Sequence, residues 1–528
     1  MFLTGGILEC LLLLLYDVFK IWHTGPRQIV TKVTPYMKTP IKGQNYINGH
    51  WQDAQSGACF ENRSPNQPQD LIGVFPASTS EDVDQAVQSA QRAFQQWKAT
   101  PAPQRAKVLL KVAQLLERDK PTLTQEMTRE MGKSLIEAGG DIQEAIDMAY
   151  FVAGEGRRLY GQTTPSELPH KWAMTMRQPV GVCGLITSWN FPIAVPSWKI
   201  LPCLLAGNTI VFKPAEEAPL MAQRFVELFE EAGLPKGVLN LVQGPGETTG
   251  QAVVNHPDIR LISFTGSSEA GAMIAAQCGS QLKRVALELG GKNACIVMED
   301  ADLALAAQGI AWGAFGTSGQ RCTATSRLLV HHSVKKRLLD LLLKETEKLV
   351  VGNTLEGSDI GPIINPTQLK RVLDYIAIAQ AEGATLLCGG HPIELDGYFV
   401  APTILDGVTP TMRIAQEEVF GPVLAVMDFN TLEEAITIAN GVEYGLSSAI
   451  FTTNMSSAFQ AVEQLEAGIT YVNAPSIGAE VHLPFGGVKK TGNGHREAAS
   501  QAFDVFTEWK TVYIDYSGQL QKAQIDNN

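Results

Sequence analysis

The sequence predicts an α/β protein organised on a doubly wound parallel sheet, and three observations carry that reading. Beyond Pro179, short apolar runs at 180–187, 209–213, 238–242, 259–264, 285–289 and 294–298 alternate with helical patterns such as 219–232. The runs are apolar throughout rather than at every second residue, as strands covered on both faces are. The composition agrees: 528 residues, 45% apolar and 18% charged, with 48 glycines for tight turns, suffice for two or three globular domains.

In chain order, Tyr46-Ile47-Asn48-Gly49-His50-Trp51 reads as a short strand and a turn, followed by Asn62-Arg63-Ser64-Pro65. Residues 80–97 carry Val83, Ala86, Val87, Ala90, Ala93 and Phe94 at helical spacing, with Ser80 as N-cap and Glu81 and Asp82 in the first turn. Two further helices are expected at 103–118 and 123–131, and a long one from 137 to 160. Scaffold is the ordinary role of all four. After the strand region come an apolar helix over 301–315, a strand over 327–330, helices at 334–350 and 368–382, and a terminal strand at 505–514. No internal repeat or low-complexity tract interrupts them.

Sheets of this kind take ligands beyond the carboxyl ends of their strands. The first such end is Ser188-Trp189-Asn190-Phe191-Pro192. Pro192 fixes the chain there, and the Asn190 amide is able to donate to a developing oxyanion; losing one such donor costs about 10²–10³ in rate. A turn asparagine bonded to its own backbone is the commoner case. At the second end, Lys213 closes an apolar strand and Glu216 follows three residues on. The pair suits the hydroxyls of a ribose, and the carboxylate repels the 2′-phosphate of NADP, which favours NAD. The alternative is a surface ion pair worth under about 1 kcal/mol.

The third end, Phe264-Thr265-Gly266-Ser267, has the strand–glycine–helix layout of a phosphate-binding turn, although Gly266 and Gly271 do not make a GxGxxG pattern. The fourth is Glu288-Leu289-Gly290-Gly291-Lys292. Burial among apolar neighbours raises the pKa of a carboxyl such as Glu288, so that it takes a proton from water near neutrality.

Further on stands Gly319-Gln320-Arg321-Cys322-Thr323-Ala324. A lone cysteine framed by small and polar residues, between a helix and a strand, is a candidate nucleophile; an ordinary buried thiol is the alternative on this stretch alone. Glu418 and Phe420, fixed by Gly421-Pro422, suit a ribose and the flank of a nicotinamide ring, and Phe485 is presented by the glycine-hinged Leu483-Pro484-Phe485-Gly486-Gly487.

A formal charge of −12 argues against nucleic acid or an anionic membrane as partner. Eight scattered cysteines without a CxxC pair make neither a disulfide framework nor a zinc site, no metal is expected, and the usage fits a reducing, cytoplasmic setting. The apolar run at 7–15 is shorter than the roughly 20 residues a bilayer span needs. No Lys or Arg precedes it and no small-residue cleavage site follows. It reads as a membrane-surface anchor, a helix packed on the body, or an over-long start with Met37 the initiator; the last two fit better, and membrane contact is expected only if the run is real.

Taken in order, Trp189-Asn190-Phe191-Pro192, the Lys213/Glu216 pair, Phe264-Thr265-Gly266-Ser267, Glu288-Leu289-Gly290-Gly291-Lys292, Gly319-Gln320-Arg321-Cys322, Glu418-Val419-Phe420-Gly421-Pro422 and Pro484-Phe485-Gly486-Gly487 resemble the NAD(P)-dependent aldehyde dehydrogenase superfamily over roughly residues 40–515. The resemblance implies a Rossmann-type NAD-binding domain (37–159 and 179–290), an α/β catalytic domain (291–490) and a small β oligomerisation flap (160–178 and 491–516). Residues 1–36 are left as an extension of unknown role and 517–528 as a tail, and the assembly is expected to be a homodimer or homotetramer. Cys322 would attack the aldehyde, Asn190 and the Cys322 backbone N–H would hold the oxyanion, and Glu288 would activate the water that hydrolyses the thioester. Trp189, Lys213, Glu216, Gly266, Ser267, Glu418 and Phe420 would hold the dinucleotide, NAD rather than NADP.

Arg321 resembles the arginine of members that oxidise carboxylate-bearing semialdehydes, both the α-aminoadipic and the α-ketoglutaric groups. Asp141 falls where an aminoadipic enzyme has an acid for the substrate's amino group. Trp198 and Phe485 supply apolar walls, so a medium-chain or aromatic aldehyde also fits. Glu480, in the loop Gly478–His482, would repel a carboxylate. Two rivals remain, a CoA-acylating dehydrogenase and a non-catalytic binding or structural homologue. Glu288 speaks against the first, and Cys322, Glu288 and Asn190 together against the second.

Overall fold

Apolar strands alternating with amphipathic helices give the doubly wound sheet that the sequence predicts. The structure, a computed structural model, describes residues 39–526; the apolar run at 7–15 and Met37 lie outside the described residues. The strands Val182–Ile186, Thr209–Lys213, Leu239–Leu241, Leu261–Thr265 and Arg284–Glu288 run parallel. Val182–Ile186 is central, flanked by Thr209–Lys213 on one side and Leu261–Thr265 on the other. The chain first winds outward one way and then the other, so the carboxyl ends of Val182–Ile186 and Leu261–Thr265 form a topological switch point. The hairpin Asn45–Ile47/His50–Gln52 extends the edge antiparallel to Leu239–Leu241. Its turn has Asn48 at φ 54° and Gly49 at φ 74°, the left-handed pair that a two-residue hairpin requires.

The helices differ from expectation in three places. The cap of Ser80–Ala99 is Thr79, not Ser80: the Asp82 carboxylate accepts the Thr79 N–H at 2.9 Å, a reciprocal capping box. The two helices expected at 103–118 and 123–131 are one, Ala102–Met131, with Pro121 inside it. A proline there costs about 3 kcal/mol, but Leu115, Leu116, Leu123 and Met127 are all buried along its length, and that continuous apolar contact outweighs the lost bond. The following helix is Leu135–Gly154, shorter than expected, and passes into a 3₁₀ turn at Glu155–Arg157.

A second sheet holds Asn293–Val297, Thr325–His331, Val423–Phe429, Thr403–Asp406, Ser447–Phe451 and Ile469–Val472 in parallel, with Thr385–Cys388 antiparallel at one edge. Successive residues face opposite layers: Ile296, Leu329 and Ala425 lie in one core, Cys295, Val297, Leu328 and Val330 in the other. Only Leu289–Lys292 separates the last strand of the first sheet from the first strand of the second. A third sheet pairs Thr507–Asp515, Lys171–Pro179 and Thr163–Pro165 antiparallel and leaves Trp172, Trp509 and Tyr513 exposed. Residues 491–506, expected in that flap, pack instead on the first sheet: the Leu289 N–H donates to the Thr491 carbonyl at 2.8 Å, and Arg284 Nη1 to the Val505 carbonyl at 3.0 Å. Among the described residues no helix is long and apolar enough to cross a membrane, and no cluster of His, Cys, Asp or Glu is arranged to hold a metal ion.

Candidate active site

The carboxyl ends of the first sheet face the loop that enters strand Thr325–His331, and between them lies a cleft of about 290 Å³. Cys322, Glu288 and Asn190 all line it. Asn190 Nδ2 donates to the Gln320 carbonyl at 3.1 Å while its Oδ1 accepts from the Ser188 hydroxyl at 2.8 Å. An amide nitrogen has two hydrogens, so one N–H is left for the cleft. The Cys322 loop is pinned from behind by Asn293, whose Nδ2 donates to the Cys322 and Ala324 carbonyls at 2.8 and 2.9 Å. Gly291 belongs to the same contact, since a Cβ there would come within 2.5 Å of the Cys322 carbonyl oxygen.

Glu288 is 5% exposed, and neither carboxyl oxygen has a hydrogen-bond partner. Burial, and then the neighbouring Glu497 carboxylate, hold its pKa well above the ordinary value; Lys199 and Arg496 oppose them. Burial also pushes the Cys322 thiol up, with Glu288 and Glu418 adding to it, while backbone N–H groups of Thr323 and Cys322 pull it down. An unpartnered, desolvated carboxyl beside a desolvated thiol is poor structural design and good acid–base chemistry.

The expected dinucleotide residues divide into two groups. Trp189, Gly266, Ser267, Glu418 and Phe420 line the cleft. Ser267 caps helix Ser268–Ser280 by accepting the Ala270 N–H, and the buried Thr265 hydroxyl beside it has no partner. Phe420 stands at φ 62°, a left-handed conformation that sets its ring edge-on to Trp189 at 5.5 Å. Glu418 accepts the Gly291 N–H at 3.0 Å, and burial pushes its pKa up to about 7. Lys213 and Glu216 are not part of the cleft lining; they pair at 3.1 Å at the end of the adjacent strand. Burial raises Glu216, but Lys213 and backbone N–H groups outweigh it, and the carboxyl sits below its ordinary pKa.

Among the expected substrate residues, Trp198, Phe485 and Arg321 line the cleft, with the first two rings 4.7 Å apart. Arg321 is not free: Nη2 pairs with Glu137 at 2.8 Å, and the guanidinium lies over Trp312. Asp141 is turned away from the cleft. It is buried against Lys133 at 2.9 Å and accepts the Ala194 N–H at 2.8 Å, so it braces the helix that follows Pro192. The acid that faces the cleft is Glu144, three residues further along the same helix. Burial, with Asp141 adding to it, pushes Glu144 up to about 8. Glu480 does not line the cleft and stands near His482 at 3.5 Å. Gln368 and Arg371, on helix Pro366–Ala381, also line the cleft and carried no sequence signal, because only the meeting of the two sheets brings them there.

The Aldehyde dehydrogenase family profile matches residues 51–512. An α-ketoglutaric semialdehyde dehydrogenase of Bacillus subtilis is 42% identical over 475 residues, which span 89% of this chain and 97% of that protein. An α-ketoglutarate semialdehyde dehydrogenase of Haloferax volcanii is 42% identical over 487 residues, 91% of this chain and 100% of that protein. The crystal structure of an NAD-dependent aldehyde dehydrogenase from Sinorhizobium meliloti superposes with a TM-score of 0.90 at 36% identity, covering 93% of this chain and 98% of that one. With the family's profile matching nearly the whole length and relatives aligned almost end to end, the chain belongs to the aldehyde dehydrogenase family.

Proposed function

We propose that this aldehyde dehydrogenase oxidises a carboxylate-bearing semialdehyde with NAD, using Cys322 as nucleophile, Asn190 as oxyanion donor and Glu288 as hydrolytic base. The reaction class, oxidation of an aldehyde to a carboxylic acid with a nicotinamide dinucleotide, follows from family membership. The observation that carries the roles is Glu288, buried and unpartnered in the cleft that holds Cys322. The Cys322 thiol gives up its proton to solvent and adds as thiolate to the aldehyde carbon, and the oxyanion rests on the free Asn190 N–H and the Cys322 backbone N–H. The dinucleotide, when bound, supplies the hydride acceptor that oxidises this adduct to the thioester. Glu288 then draws a proton from water, the hydroxide adds to the thioester carbonyl, and the carbon–sulfur bond breaks to release the acid.

The residues present fit a dinucleotide. The unpartnered Thr265 hydroxyl and the start of helix Ser268–Ser280 offer donors to a diphosphate, Glu418 and Phe420 suit a ribose and ring, and Glu216 with Lys213 suits the adenosine ribose. A carboxylate held ionised at Glu216 disfavours a 2′-phosphate, which supports NAD. Glu216→Gln is expected to raise the NADP-to-NAD ratio of kcat/KM about tenfold, the equivalent of about 1.4 kcal/mol. An unchanged ratio would remove Glu216 from cofactor selection.

For the substrate, Glu144 is the informative group. With a pKa of about 8, it is mostly protonated at neutrality and donates a hydrogen bond, next to the Arg321 cation, to a substrate carboxylate or keto oxygen. The naming of the two relatives as α-ketoglutaric semialdehyde dehydrogenases supports the same class. Ionisation as pH rises through that value turns a donor into a repelling charge. KM for α-ketoglutaric and succinic semialdehydes should therefore rise several-fold between about pH 7 and 9, with no such rise for an alkyl aldehyde. Glu144→Gln, a permanent neutral donor, should flatten the rise. A preference for uncharged alkyl aldehydes over both semialdehydes would overturn the substrate reading.

A further inference from the structure

Glu137 lies outside the cleft lining, yet its carboxylate reaches the backbone that delivers Cys322. Its Oε1 accepts the Thr317 N–H at 2.6 Å, the Thr317 hydroxyl at 3.0 Å and Arg321 Nη2 at 2.8 Å, and its Oε2 accepts the Ser134 hydroxyl at 3.0 Å. The segment it grips is unusual. Thr317, Ser318 and Gly319 stand at φ 51°, 56° and 67°, three consecutive left-handed residues, two of them with side chains. Left-handed backbone is disfavoured for L-residues and normally occurs singly. It persists where the surroundings over-determine it, and such places cluster at reacting centres.

The turn is over-determined on three sides. Glu137 holds Thr317, the Ser318 hydroxyl donates to the Gly361 carbonyl at 2.7 Å, and a Cβ on Gly319 would come within 2.2 Å of the Gly421 carbonyl. Directly after it comes Gln320, whose carbonyl accepts the Asn190 amide, and two residues later the thiol. The conformation of 317–319 therefore sets both the nucleophile and the oxyanion donor. Thr317 and Ser318 are buried, so water does not replace Glu137 without a change of conformation.

We infer that Glu137 is a positioning residue for the acyl-transfer chemistry: it holds the left-handed turn Thr317–Gly319, and through that turn fixes the Cys322 thiol relative to the Asn190 amide. The inference rests on the reading of Cys322 as nucleophile. A displacement of about 1 Å at a reacting centre costs about a hundredfold in rate. Glu137→Ala is therefore expected to lower kcat per titrated active site about 30- to 100-fold, for charged and uncharged aldehydes alike. Alkylation of the Cys322 peptide by iodoacetamide, followed by mass spectrometry, should slow at least about tenfold, while the Kd for NAD from fluorescence quenching stays within about twofold. Glu137→Gln keeps the volume and an acceptor oxygen for Thr317, and should lose less, about three- to tenfold.

The inference is overturned if kcat per titrated site and the alkylation rate remain within about twofold of wild type in both variants. It is also overturned if the loss is confined to carboxylated aldehydes, which would leave Glu137 as no more than the counter-ion of Arg321. Should Glu137→Ala fail to fold, the same readouts on Glu137→Gln decide. Cys322→Ser, run in parallel, separates the two failures: retained activity there would overturn the nucleophile itself, whatever Glu137 does.

Discussion

Cys322→Ser is expected to reduce dehydrogenase turnover by about four orders of magnitude or more, the scale on which removal of a covalent nucleophile acts. A serine hydroxyl in that position has no base close to its own proton affinity, and the burial that already pushes the thiol up would hold an alkoxide out of reach. Dinucleotide affinity should be little changed, because the residues proposed to hold the cofactor, Trp189, Glu418 and the Ser267 turn, keep their side chains in this variant. NADH absorbance with a short aldehyde measures turnover, and fluorescence quenching measures the affinity. Retention of more than a few per cent of wild-type kcat would show that another group attacks the aldehyde.

The second large effect belongs to Glu288→Gln. Steady-state kcat should fall about 10²–10³-fold, within the span of general-base contributions. A rapid-quench experiment should still show one equivalent of NADH per site before the slow phase, as acyl enzyme accumulates. The pH dependence has a definite sign. Burial and Glu497 raise the pKa of Glu288, so the protonated, inactive form persists to higher pH than an ordinary carboxyl would. Wild-type kcat accordingly rises with pH above the usual carboxylate range, and that limb disappears in the glutamine variant. A variant that hydrolyses its thioester at the wild-type rate would dismiss Glu288 as the base.

Much of the candidate site was legible in the chain because its residues sit at strand ends. Asn190, Gly266 and Glu288 each follow a run of apolar residues whose burial on both faces is already written in its composition, and a doubly wound sheet puts all such ends on one side. What sequence could not supply was rotation about a helix and contact between distant segments. Asp141 and Glu144 are less than one turn apart, about 4.5 Å of rise, yet one meets Lys133 in the interior and the other faces the cleft. No spacing rule separates them without knowing which stripe the neighbouring helix covers. Glu137, Asn293, Gln368 and Arg371 escaped for the second reason. Glu137, Asn293 and Arg371 bond Thr317, Cys322 and the Glu418 carbonyl, 180, 29 and 47 positions away, and Gln368 reaches the cleft only through the fold. Pro121 misled in the opposite sense, since a strong local breaker was overruled by a continuous apolar stripe.

The four residues Leu289–Lys292 carry the chain from the last strand of one sheet to the first strand of the other, and Thr491, bonded to both Leu289 and Gly445, crosses beside them. Glu288 sits at one abutment and Asn293, which braces the sulfur-bearing loop, at the other. A tilt between the two layers is therefore passed through a four-residue segment into the gap between acid and sulfur. With Glu288 as the proposed hydrolytic base, the hydrolytic half-reaction becomes a gauge of internal alignment, and a deformation too slight to disturb either core would register there.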